Sequence, residues 1–273
     1  MIIRSATAKS GATERYDAVH GPAPAPAVVA GVPMTRTSFV LFGLGTASFM
    51  WMTGVWAGTA LLIILMLHEL GHVLAMRAYG DKASAFYLIP FLGGAAIGKK
   101  PLESDWRLVM MVLAGPFAGL LTALGALGLF HATGADWWVA LAFLAAMINL
   151  LNLLPIPILD GGQVLMALCR RYLPEGVVHW LGVGLLLIAA AGAAWVGTTL
   201  LMVVFGFLAA AQAAFPAPQS AMGRTPLGNL QAAFGAVLLV ALAAVLVGTM
   251  WLIVNGDAYP DSPLRFLDDG PFS

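Results

Sequence analysis

Seven predominantly apolar stretches, near residues 38–56, 58–79, 107–130, 137–158, 178–196, 198–214 and 230–254, dominate this chain. A helix needs about 20 such residues to cross a bilayer, and backbone in hydrocarbon must satisfy its own polar groups, so runs of this kind read as spanning helices. The expected fold is an all-α polytopic membrane protein of about seven transmembrane helices. Six is the alternative count, because the first two runs are joined only by a turn near Met52 to Gly58 and the sixth is barely long enough. Composition agrees: 10% of residues are charged, against about 25% in soluble proteins.

Three regions follow. Residues 1–37 lack the apolar core of a signal peptide and carry an Ala-Pro run from Pro22 to Pro26, so they read as a retained, disordered tail. Residues 38–255 form the transmembrane domain, and 256–273 an acidic tail with Asp257, Asp261, Asp268 and Asp269. No loop exceeds about 30 residues, short of an independent domain. With the N-terminus in the cytosol, every Lys and Arg except Arg265 falls on the cytosolic side, and Trp51, Trp56, Trp137, Trp138 and Trp251 fall near the outer interface. The C-terminal tail is then non-cytosolic. Thirteen basic residues balance thirteen acidic ones, which argues against nucleic acid as a partner. The single cysteine, Cys169, can form neither an intrachain disulfide nor a zinc knuckle.

Charged groups are costly inside a span and usually functional, yet the second run holds His68, Glu69 and His72 within five residues. Histidines at i and i+4 share a helix face, so both imidazoles can reach one zinc ion. Glu69 sits about 100° round, near the metal but free to act as a base. Helix association by hydrogen bonding is the plainer reading, but Ser or Asn would serve it at lower desolvation cost.

A catalytic zinc takes a third protein ligand and keeps one position open. His72 and His68 precede Arg77 by about 7 and 13 Å at helical rise, which puts them inside the bilayer nearer the cytosol. Asp136 lies at the opposite face; Asp81, Glu103 and Asp105 accompany loop charges; Glu175 follows Arg170 and Arg171 in polar sequence. Asp160, which ends the fourth span in NLLPIPILDGG, remains. Pro155 and Pro157 cannot continue a regular helix, so residues 153–162 are expected to run extended beside a watery cavity, with an edge that could pair with a substrate strand. Ala85 to Gly98, too short to span and containing Pro90, Gly93 and Gly94, reads as a re-entrant or interfacial hairpin.

These motifs resemble those of the site-2 protease family of intramembrane zinc metalloproteases. His68-Glu69-Leu70-Gly71-His72 matches its HExxH, and Asn152 to Gly161 its NxxPxPxLDG signature; Ala114-Gly115-Pro116 with Gly119 is similar to its third-span pattern. The resemblance covers about residues 58–165, the family's three-helix catalytic core. It implies one zinc ion per chain held by His68, His72 and Asp160, Glu69 activating water, and Asn152 binding the substrate backbone or the oxyanion. Reasoning from the residues alone leaves Asn149, one turn earlier, as a rival to Asn152, and reads Gly115xxxGly119 as a close-packing motif. The implied substrate is a single-span membrane protein, cleaved within or near its span in regulated intramembrane proteolysis, in a membrane expected to be the bacterial inner membrane. Neither an inserted PDZ domain nor a CBS domain is visible, which leaves a separate regulatory membrane protein as the candidate for control. The alternative is a zinc-binding or ion-conducting membrane protein without hydrolysis. Prenyl-protein endoproteases also place HExxH in membrane helices, but they take their third ligand from a downstream Glu and lack the LDG segment.

Overall fold

The computed structural model describes residues 36–81, 85–89, 93–98, 102–195, 197, 199–214 and 224–256. All lie within the unit Gly31–Ser273; the tails expected before residue 36 and after residue 256 fall outside the described residues. In chain order the elements are α1 (Arg36–Ala78), β1 (Ala85–Ile89), β2 (Gly93–Ile97), α2 (Asp105–Thr133), α3 (Trp137–Asn152), α4 (Asp160–Arg170), α5 (Glu175–Trp195), α6 (Thr199–Ala214) and α7 (Asn229–Asn255).

Helix α1 is broken at Gly54 (φ 82°, ψ 166°), a backbone conformation that glycine adopts without steric cost. The break separates the first two apolar runs of the sequence. Among the described residues, four helices are long and apolar enough to cross a membrane: Gly54–Ala78, Asp105–Thr133, Gly176–Trp195 and Asn229–Asn255. Trp137–Asn152 and Met202–Ala214 are shorter apolar helices.

Local chemistry sets the ends. Ser104 caps α2 by accepting from the Arg107 N–H (3.2 Å), and Asp105 in the first turn complements the helix dipole. Gly134, left-handed at φ 69°, closes α2 by donating its N–H to the Phe130 carbonyl. Strands β1 and β2 pair antiparallel, with Ala85 opposite Ile97 and Ile89 opposite Gly93, so the expected hairpin forms, and both strands lie against α1. Apart from this hairpin the named elements are helices.

The main core joins α1 through Ile64, α2 through Val109, Val112 and Ala123, α3 through Ala145 and Ala146, α4 through Val164 and Ala167, and α7 through Leu242 and Leu246. Helix α7 thereby packs against α2, α3 and α4. Helices α5 and α6 instead pair with each other, and α5 leans on α4; Leu186 of α5 and Ala209 of α6 bury Ile156 of the α3–α4 connection.

That connection differs from expectation. Rather than running extended, it folds into consecutive turns: the Leu154 N–H donates to Leu151 O (3.1 Å), Ile156 to Leu154 O (2.8 Å) and Leu159 to Ile156 O (2.8 Å). Pro155 and Pro157 have no N–H to satisfy, and the Leu154, Ile156 and Leu159 donors find carbonyls within the connection itself. Asp160 is consequently the first residue of α4, not the last of the fourth span. The turns are tight enough that a Cβ on Gly161 would overlap the Leu153 carbonyl, and one on Gly162 the Ile156 carbonyl. Gly161→Ala is expected to destabilise the fold by about 1–3 kcal/mol through overpacking, read as a lower unfolding midpoint in detergent. Gly128→Ala, with open space around it, should not lower it.

Candidate metal centre

His68 and His72 lie one turn apart on α1, and the α3–α4 turns deliver Asp160 to the same point. The two Nε2 atoms are 3.1 Å apart, and Asp160 Oδ2 lies 3.2 Å from His68 Nε2 and 3.4 Å from His72 Nε2. All three residues are buried.

The protonation of both rings follows from their other nitrogens. Asn149 donates Nδ2–H to the Ala145 carbonyl (2.8 Å), which turns its Oδ1 toward His68; His68 Nδ1 must therefore donate to that oxygen, at 2.7 Å. His72 Nδ1 likewise donates to the Met111 carbonyl at 2.9 Å. With both Nδ1 atoms committed as donors, it is Nε2 of each ring that faces the other ring and the Asp160 carboxylate, and in the metal-binding form each Nε2 offers its lone pair. Asp160 Oδ2 then has no hydrogen-bond donor. In that form three acceptors converge in a buried site, an arrangement that a shared cation stabilises.

The spacing fits one particular class of cation. Zinc bonds of 2.0–2.1 Å at tetrahedral angles put ligand atoms about 3.3–3.4 Å apart, close to the three separations found. Two imidazoles and one carboxylate form a zinc donor set that leaves a fourth position for water or substrate. Among the described residues these three could hold a metal ion together.

Glycines on α2 make the approach possible. A Cβ on Gly115 would overlap the His72 imidazole, one on Gly119 would overlap the Asn149 amide, and one on Gly71 of α1 would overlap the Ala114 carbonyl. The close-packing reading of Gly115xxxGly119 thus has a specific object: the space is taken by a ring of the metal centre and by the amide that orients the other ring. Glu69 is buried on α1 beside His68. Asn152 is only partly buried and donates Nδ2–H to Ile148 O of its own helix at 3.1 Å. Asn149, fully buried, is the asparagine that contacts the centre. Its partner 81 residues away cannot be read from α3 alone; the Met111 carbonyl, being backbone, leaves no sequence signal at all.

Residues 56–136 and 129–191 match the model of peptidase family M50. The chain belongs to that family. The resemblance to site-2 proteases carried by the motifs is thereby borne out. A zinc metalloprotease of Methanocaldococcus jannaschii is 29% identical over 116 residues, 41% of this chain and 33% of that protein. Stage IV sporulation protein FB of Bacillus subtilis is 29% identical over 124 residues, 44% of this chain and 42% of its own length. The chain thus spans less than half the length of these curated relatives. The solved structure of a site-2 protease from Methanocaldococcus jannaschii superposes with a TM-score of 0.46 at 22% identity, over 66% of this chain and 88% of that one.

In this M50 family member, Asn149→Ala removes the acceptor that fixes the His68 tautomer. Zinc affinity should fall about 10–100-fold, the range for such supporting partners, as measured by competition with a chromophoric chelator. Asn152→Ala should leave zinc affinity unchanged.

Proposed function

We propose that this chain is an intramembrane zinc metalloprotease of the site-2 type, hydrolysing peptide bonds within or near the spanning segment of membrane-protein substrates. The observation that carries this reading is the convergence of Asp160 on one point with His68 and His72, which stand beside buried Glu69 on an apolar helix long enough to cross a membrane. Family membership and the names of the relatives support it.

In this reading His68, His72 and Asp160 hold the metal, which supplies Lewis-acid activation of water and of a peptide carbonyl. Glu69 takes the proton from the attacking water and returns it to the departing amine. Asn149 and the Met111 carbonyl keep both imidazoles in the tautomer that presents Nε2. Asn152, at the end of α3, helps hold the substrate backbone or the developing oxyanion. A helical substrate hides its carbonyls in i to i+4 bonds, so the scissile stretch must unwind before attack, and helix-breaking residues there favour cleavage. The substrate class is a single-span membrane protein, processed in regulated intramembrane proteolysis under a separate regulatory membrane protein.

The same reading assigns seven spans, with residues 1–37 cytosolic, 38–255 in the membrane around a catalytic core at about 58–165, and 256–273 on the far side. The β1–β2 hairpin re-enters beside the site. The centre lies nearer the cytosolic face, and the host membrane is the bacterial inner membrane.

The test compares wild type and Glu69→Gln, both purified in detergent, on a model single-span substrate followed by mass. Wild type should cleave within the span, lose activity to a chelator and regain it with zinc. Glu69→Gln should keep its zinc and lose at least about 100-fold in rate, the scale of general base catalysis. Equal cleavage by the two proteins would contradict the role of Glu69; zinc binding without hydrolysis by either would favour a non-proteolytic metal site.

A further inference from the structure

Asp105, read from sequence as a loop charge, is 3% exposed. Arg170 donates to it through Nε (3.3 Å) and Nη2 (3.1 Å) in a two-pronged fork, and Arg224 adds its Nε at 2.9 Å. The three residues stand at three chain ends that matter to the metal centre. Asp105 opens α2, whose Met111, six residues on, accepts from His72. Arg170 closes α4, whose first residue is Asp160. Arg224 enters the segment leading to α7, which is stitched to the start of α2: the Asp105 N–H donates to Thr225 O (3.0 Å), and the Thr225 N–H to Glu103 O (3.1 Å).

We propose that Asp105, Arg170 and Arg224 form a positioning device that sets where the Asp160 carboxylate stands relative to the two imidazoles. This rests on the metal-centre reading above. Helix α4 is 11 residues long, so Arg170 lies about 15 Å along a stiff rod from Asp160. Apolar packing at Val164 and Ala167 holds α4 against the core, but such packing is non-directional and tolerates sliding and rotation. A forked guanidinium–carboxylate pair is directional and fixes both. Because Asp105 belongs to α2, the far end of α4 is referenced to the helix that orients His72. Arg224 ties the same carboxylate to the lead-in of α7, which makes α7 part of the metal centre's support.

The full-length chain in detergent provides the test. Zinc affinity is read by chelator competition, and the geometry of the bound metal by the visible absorption of the cobalt-substituted protein. Asp105→Asn should lower zinc affinity about 10-fold or more and shift the cobalt bands while helix content by circular dichroism is retained. Arg170→Lys keeps the charge but loses the fork, and should resemble Asp105→Asn; Arg224→Gln should give a smaller loss. Glu103→Gln, which alters a more exposed pair with Arg107, should match wild type. Wild-type affinity and cobalt spectra in Asp105→Asn and Arg170→Lys would overturn the proposal. If Asp105→Asn does not fold, Arg170→Lys and Arg224→Gln decide it by the same readouts. A wild type that binds neither metal overturns the metal-centre reading, and the positioning role with it; a wild type that binds both, with unchanged variants, overturns the positioning role alone.

Discussion

The convergence of His68 Nε2, His72 Nε2 and Asp160 Oδ2, within 3.4 Å of one another, is the constraint on which the rest of this structure depends. In water such acceptors would each keep their own hydration, but in a buried, helix-walled interior they have only one another and whatever cation they share. The arrangement persists because each atom is held from behind: His68 by Asn149, His72 by the Met111 carbonyl, and Asp160 by its place at the head of α4.

Several features that look unrelated along the chain serve that geometry. Pro155 and Pro157 end α3 and direct its continuation into turns, which places Asp160 at the start of a new helix within reach of both histidines. Gly161 and Gly162 let those turns close on their own carbonyls; Gly115 and Gly119 let α2 approach α1 and α3 without displacing the His72 ring or the Asn149 amide. The fold also divides its labour: α7 packs into the core beside α2, α3 and α4, whereas α5 and α6 pair with each other and lean on α4 and on the connection at Ile156.

How much of this the sequence disclosed depends on the range of the interaction. Helical periodicity made the shared face of His68 and His72 legible, and elimination by depth reached Asp160, because both arguments use only local spacing and charge position. The hairpin at 85–97 was legible from its length and its glycines. The turns at 153–159 are not legible, because Pro excludes regular helix without selecting among the alternatives. The burial of Asp105 is illegible for a different reason: it stands among loop charges in sequence, while its partners lie 65 and 119 residues away. No local pattern distinguishes a solvated carboxylate from one end of a buried ion cluster, just as none distinguishes Asn149 from Asn152.

The central claim is that two imidazoles and the Asp160 carboxylate hold one zinc ion. X-ray absorption at the zinc edge, on the purified chain loaded with one equivalent, tests it most directly. The account predicts only nitrogen and oxygen ligands at about 2.0–2.1 Å, with the outer-shell scattering of two imidazoles, and a changed first shell in Asp160→Ala. A sulfur ligand, or a spectrum that Asp160→Ala leaves untouched, would contradict it.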